Sequence, residues 1–209
     1  MKNHPTFLSM NNRTSLELTD VAKNTEYMML WYLNKKCNMN CGYCFFDEKY
    51  RKNESKHINN HTIDHIVDCF DNSKKKWTIV FSGGENFLHP QFIELVNKIT
   101  VNHNIIFSSN LLSNNVFEFA QKINPAKILV LYANLHIQER AKIKNGYEDF
   151  INKCLFFKDK GFNIVTGYVA HPTLMSRMDE DLNNLQKCGI NKVSCKTFKG
   201  VYKDRIYPL

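Results

Sequence analysis

WTIVFSGGENFLHPQFIELVNKI, residues 77–99, contains the unit from which the rest of the chain is read. Its first six residues, 77–82, form a short apolar run that suits a buried strand better than a helix of such length. After the Gly83-Gly84 turn, Pro90 sits where a helix can begin, and Phe92, Ile93, Leu95, Val96 and Ile99 supply a broad apolar face. Strand therefore passes to helix across a pair of glycines.

The alternation extends in both directions. Upstream, EYMMLWYL (26–33) reads as the first strand, and Ile63, Ile66, Val67 and Phe70, at i, i+3, i+4 and i+7, mark a helix capped around Asn60 to Thr62. Downstream, NIIFSS (104–109), KILVLYA (127–133), FNIVTGYVA (162–170) and INKVSCK (190–196) read as strands three to six. Helices are predicted between them over 114–122, from about Gln138 to Lys160 with Gly161 as cap, and across Met178, Leu182 and Leu185 up to Gly189. Six strands, each separated by a helix, imply a parallel sheet with right-handed crossovers. A closed eightfold barrel needs about 250 residues, so six strands in 209 residues predict an α/β fold, an open, partial (β/α)6 barrel without a full final helix. Residues 1–25 read as an N-terminal extension and 26–209 as one core domain.

Composition narrows the setting. Hydrophobic residues make up 43% of the chain, yet no run is long enough to cross a bilayer, and the N-terminus lacks the pattern of a secretory signal. We expect a cytoplasmic protein with reduced thiols and no membrane partner, in which sequons such as Asn53-Glu54-Ser55 carry no sugar. The net charge is +8, with basic clusters at Lys35, Lys36, Lys49, Arg51, Lys52 and Lys56 and at Lys74-Lys75-Lys76. We read these as a solvated face and expect no nucleic-acid partner.

Seven cysteines are present, and Cys37, Cys41 and Cys44 lie together in KKCNMNCGYCFF (35–46), just past the C-terminal end of strand one. Barrel and open α/β enzymes place their chemistry at that end. Thiolates select zinc, copper or iron–sulfur clusters. A four-iron cluster held by three cysteines leaves one iron open to a ligand that is not protein; the alternatives are a zinc site completed by His57 or another side chain, or three free thiols. Cys69, Cys154, Cys188 and Cys195 are scattered, and we expect them to be buried small hydrophobes.

CNMNCGYC resembles the C-x-x-x-C-x-aromatic-C motif of the radical S-adenosylmethionine (radical SAM) superfamily, with Tyr43 as the aromatic, and FSGGENFLHP is similar to that superfamily's Gly-Gly-Glu motif. The resemblance runs over about residues 26–200 and implies the partial (β/α)6 barrel of that type. It further implies that Cys37, Cys41 and Cys44 bind three irons of a [4Fe-4S] cluster while the amino and carboxylate groups of S-adenosyl-L-methionine chelate the fourth. Gly83 and Gly84 would let the backbone approach that ligand, Glu85 would accept a hydrogen bond from its ammonium, and Tyr43 would lie near the adenine. Ser109 and Asn110 after strand three, and Asn134 after strand four, stand where the family binds the cofactor; for each, a turn-forming residue is the plain alternative. Asn86 departs from the proline common after the Glu.

What the resemblance implies is an enzyme that reductively cleaves S-adenosylmethionine to a 5′-deoxyadenosyl radical, which takes hydrogen from a peptide, protein or small-metabolite substrate. An external electron donor of flavodoxin or ferredoxin type is expected. A non-catalytic iron–sulfur or zinc-binding protein is the alternative. His136, His171 and Lys196 are read as strand-end residues facing the pocket, any of which could contact substrate. The chain shows no cysteine-rich extension for auxiliary clusters after strand six and no appended cobalamin or RNA-binding domain, and its abrupt end there is compatible with a piece of a longer protein.

Overall fold

The computed structural model describes residues 26–44, 46, 48–52 and 62–207. The 1–25 extension, His57, Asn60 and the Asn53 sequon lie outside them. Six strands, β1 (Tyr27–Asn34), β2 (Trp77–Gly83), β3 (Asn104–Ser109), β4 (Ile128–Asn134), β5 (Ile164–Ala170) and β6 (Val193–Thr197), form one sheet in sequence order. Every neighbouring pair is parallel, and β1 and β6 are its two edges. The sheet is thus the open α/β array that the alternation predicts.

Among the described residues seven α-helices lie between the strands: α1 (Glu48–Lys52), α2 (Ile63–Asn72), α3 (Phe92–Ile99), α4 (Asn115–Lys122), α5 (Ile137–Arg140), α6 (Gly146–Asp159) and α7 (Met178–Lys187). Among the described residues no helix is long and apolar enough to cross a membrane. Strand periodicity sends alternate side chains to opposite faces. Met29, Trp31, Ile79, Phe81, Ile105, Phe107, Leu131 and Tyr168 join the helices in the main core. That core is dense in phenylalanine: Phe87 meets Phe92, Phe107 and Phe119 edge to face at 5.3–5.9 Å between ring centres, a favoured geometry for such rings. The opposite face of the sheet carries the smaller cluster of Ile106, Val130 and Val165.

Four local expectations are corrected. The helix expected over 138–160 is two, because the backbone breaks after Arg140 and restarts at Gly146 behind Asn145, whose φ is 56°. Helix α3 starts at Phe92 rather than at Pro90, since a 3-10 turn over Asn86–Leu88 occupies the chain after Glu85. After β6 the chain is not merely a short tail: β7 (Gly200–Tyr202) and β8 (Arg205–Tyr207) pair antiparallel across Lys203-Asp204, both at positive φ. Of the four scattered cysteines only Cys154 is buried, while Cys69, Cys188 and Cys195 are exposed. Cys69 follows the apolar stripe of α2, but α2 lies beside edge strand β1, where a groove past Met29 and Trp31 leaves that stripe half covered.

Candidate functional site

The C-terminal ends of β1 and β2 are knitted together by backbone. The Glu85 N–H donates to the Lys36 carbonyl at 2.8 Å, and the Gly84 N–H donates to the Asn34 carbonyl. Asn34, buried at the strand end, turns its amide to donate to the carbonyls of Glu85 (2.8 Å) and Lys36 (3.2 Å). This closeness is what the glycine pair permits. A Cβ on Gly84 would lie 2.2 Å from the Lys36 carbonyl oxygen, and one on Gly83, whose φ is 112°, would lie 2.4 Å from that of Asn34. Here the glycines let one backbone approach another, fixing where the cysteine segment leaves β1.

From that anchor the segment turns back: the Cys44 N–H donates to the Cys41 carbonyl at 3.0 Å. Every metal- or cofactor-binding residue proposed from sequence lines one cleft of about 260 Å³: Cys37, Cys41 and Cys44, Tyr43, Gly83-Gly84-Glu85, Ser109, Asn110 and Asn134. His136, Lys196 and Arg51 line it too. His171 does not; its ring packs at the rim against Phe198 and Tyr202 of the terminal segment, 5.9 Å from Tyr43.

Glu85 is 1% exposed, and its carboxylate is shared by three donors. Ser109 Oγ donates at 2.8 Å, the Asn110 N–H at 2.7 Å and the Phe87 N–H at 3.1 Å. Burial pushes its pKa up, opposed by those donors and by the Arg140 guanidinium. The carboxylate thus ties the end of β2 to the end of β3, and Asn110 continues the tie, its amide donating to Asn38 Oδ1 at 2.7 Å.

Two residues of this framework escaped the sequence reading. Asn34 looks like an ordinary polar end to an apolar strand. Arg140 is 1% exposed, lies over the Phe150 ring, and donates to the carbonyls of Leu135 (2.8 Å), Gly146 (3.2 Å) and Asn110. It thereby joins the ends of β3 and β4 and explains the helix break, since its partner Gly146 must approach closely. Burial lowers its pKa to about 10.

Tyr43 Oη lies 2.9 Å from His136 Nδ1, and the two rings stack. Burial, with Arg140 and Lys196 nearby, lowers the His136 pKa to about 4, so the imidazole is neutral and shares one hydrogen bond with the tyrosine hydroxyl through Nδ1. Burial raises the Tyr43 phenol as well.

Burial raises Cys37 and takes Cys41 to about 12, so a metal would have to displace protons. Among the described residues no group of three or more His, Cys, Asp or Glu side chains is close enough to hold one ion. A single tetrahedral zinc, with Zn–S near 2.3 Å, would need its thiols about 3.8 Å apart. A cluster instead seats each thiolate on a different iron.

An open parallel α/β sheet with a three-cysteine segment at the end of its first strand and a Gly-Gly-Glu turn with a buried Glu85 at the end of its second is the class that the fold and site define. The sequence profile of the radical SAM superfamily matches residues 31–185, and the chain belongs to that superfamily. A relative named S-adenosylmethionine-dependent nucleotide dehydratase, from Selenomonas ruminantium, is 24% identical over 169 residues, covering 76% of this chain and 57% of its own. Among solved structures, anSMEcpe with bound AdoMet and the Kp18Cys peptide superposes with a TM-score of 0.67 at 13% identity, over 87% of this chain and 56% of the other. Methylornithine synthase (PylB) superposes with a TM-score of 0.61 at 15% identity, over 98% of this chain and 66% of that one. The chain therefore spans little more than half the length of the nucleotide dehydratase and of the peptide-bound structure. Superfamily membership implies S-adenosylmethionine and an iron–sulfur cluster as cofactors.

Proposed function

We propose that this chain is a radical SAM enzyme in which Cys37, Cys41 and Cys44 hold a [4Fe-4S] cluster and the cleft between them and β4 holds S-adenosylmethionine. The observation that carries this reading is the convergence of the cysteines, Gly83-Gly84-Glu85, Ser109, Asn110 and Asn134 on one cleft at the C-terminal ends of four successive strands. When bound, the cluster and S-adenosylmethionine supply a one-electron reductive cleavage that releases methionine and a 5′-deoxyadenosyl radical able to take hydrogen from substrate.

The chain's own residues bind, orient and exclude water. Gly83 and Gly84 set the cysteine segment against β2, so that the thiols face the cleft. Glu85 holds Ser109 and Asn110 in register and keeps acceptor capacity for the methionine ammonium, because an ionised carboxylate has about four lone-pair sites. Asn134 stands at the ribose position, and Tyr43, fixed by His136, borders the adenine. A flavodoxin- or ferredoxin-type donor supplies the electron, and a peptide, protein or small metabolite supplies the hydrogen.

The test is anaerobic reconstitution with iron and sulfide, then dithionite and S-adenosylmethionine, with 5′-deoxyadenosine quantified. Product from the wild type and none from a triple Cys37→Ala, Cys41→Ala, Cys44→Ala variant is expected. Unchanged iron content in the triple variant, or a full cluster that never yields product, would overturn the reading.

A further inference from the structure

The β4–β6 side of the cleft has a construction of its own. Asn134 stands opposite Gly167 in the register of β4 with β5, and Gly167 stands opposite Ser194 of β6. Gly167 is buried, and a Cβ there would lie 2.4 Å from Asn134 Oδ1. Its value is therefore the room it leaves. Asn134 lies across that notch and accepts a hydrogen bond from Lys196 Nζ at 3.2 Å. The same ammonium sits 5.3 Å from the centre of the Tyr132 ring, on the strand next but one.

A lysine kept only for solubility would hold its ammonium in bulk water. Lys196, although exposed as a residue, instead turns its ammonium to Asn134 and the Tyr132 ring, and among the described residues no carboxylate pairs with it; partial desolvation depresses its pKa. Lys98, Lys122, Lys142 and Lys153, by contrast, each meet a carboxylate within 3 Å. The cleft offers no partner either, for its lining acid, Glu85, lies on the β2–β3 side with three donors already on it. What remains is a cation on a glycine-made notch, beside the cofactor position but on the opposite half of the sheet.

We propose that Lys196, braced by Asn134 over Gly167, binds an anionic group of the substrate, a phosphate or a carboxylate, and so sets the substrate class; this rests on the radical SAM reading of the cleft. An ammonium gives a charge-assisted hydrogen bond to either oxyanion, and the Tyr132 ring restricts the side chain before the anion arrives.

The experiment uses the anaerobically reconstituted holoenzyme, titrated calorimetrically with inorganic tripolyphosphate and, separately, with N-acetylglycine. Saturable binding of one probe is expected, the phosphate or the carboxylate arm identifying the source of the anion. Lys196→Met should weaken it at least tenfold, Gly167→Ala should weaken it by displacing Asn134, and Lys199→Met, on the exposed stretch beyond β6, should leave it unchanged. No saturable binding of either probe, or equal binding by Lys196→Met, overturns the proposal. In parallel, 5′-deoxyadenosine is measured without substrate. Lys196→Met should still form it; loss of product along with anion binding would place Lys196 in the cofactor site and also overturn the proposal. A wild type that binds the anion but yields no 5′-deoxyadenosine would instead count against the cofactor reading alone.

Discussion

Gly84 lines the cleft and Gly167 lies beneath Asn134, which lines it too; both exclude a Cβ, yet they do so for different reasons. The Cβ of Gly84 would strike backbone, the carbonyls of Lys36 and Lys35 at 2.2 and 2.5 Å; that of Gly167 would strike the end of a side chain, Asn134 Oδ1. The β1–β3 half is accordingly rigid, built from main-chain hydrogen bonds and a buried carboxylate. The β4–β6 half is adjustable, built from side chains leaning over a gap. On the proposed reading, the first construction suits the segment that would hold the cluster, and the second, beyond Asn134, suits contacts to substrate.

The contrast can be broken most directly by adding the missing methyl group. Gly84→Ala should cost about 3 kcal/mol in urea denaturation, because backbone cannot move aside, and should lower iron per chain after reconstitution. Gly167→Ala should cost less than about 1 kcal/mol, since Asn134 can rotate; equal losses at the two positions would erase the distinction. Glu85→Gln sharpens the account of the rigid half. Its amide must present N–H to one of the donors from Ser109, Asn110 or Phe87, and about 2 kcal/mol of stability should be lost.

The smallest effect concerns pH. His136 has its pKa lowered to about 4 by burial and by the cations of Arg140 and Lys196. Below pH 6.5 the unfolded chain takes up a proton that the folded chain refuses, so this contribution to stability is complete above pH 6.5 and is lost as pH falls toward 4. Its size is on the order of 1 kcal/mol after allowance for solvent near a cleft-lining group. His136→Gln should flatten the melting temperature of the metal-free chain across that interval relative to wild type; parallel curves would show that Tyr43 does not depend on a neutral imidazole.

Alternation of apolar runs was enough to read six parallel strands, because a buried strand and an amphipathic helix each write their period into consecutive residues. The cysteines and Gly-Gly-Glu were equally legible, being short motifs at strand ends. Less legible were features whose cause lies elsewhere in the chain. The break before Gly146 depends on Arg140 reaching three carbonyls at once, and the β7–β8 turn uses Lys203-Asp204 without the glycine that usually announces it. Cys69 follows a buried stripe in sequence but sits exposed, because α2 packs at an open sheet edge.

The sequence by itself determined the order of elements, the three-cysteine motif and the superfamily, since these reside in local spacing. Only the tertiary structure decided that Asn34 and Glu85 lock three strand ends together, that the glycines make room for neighbouring chain, and that Lys196 leans over Gly167 toward Asn134. Those are contacts between residues far apart along the chain, and parallel pairing across the sheet is what brings them within a hydrogen bond of one another.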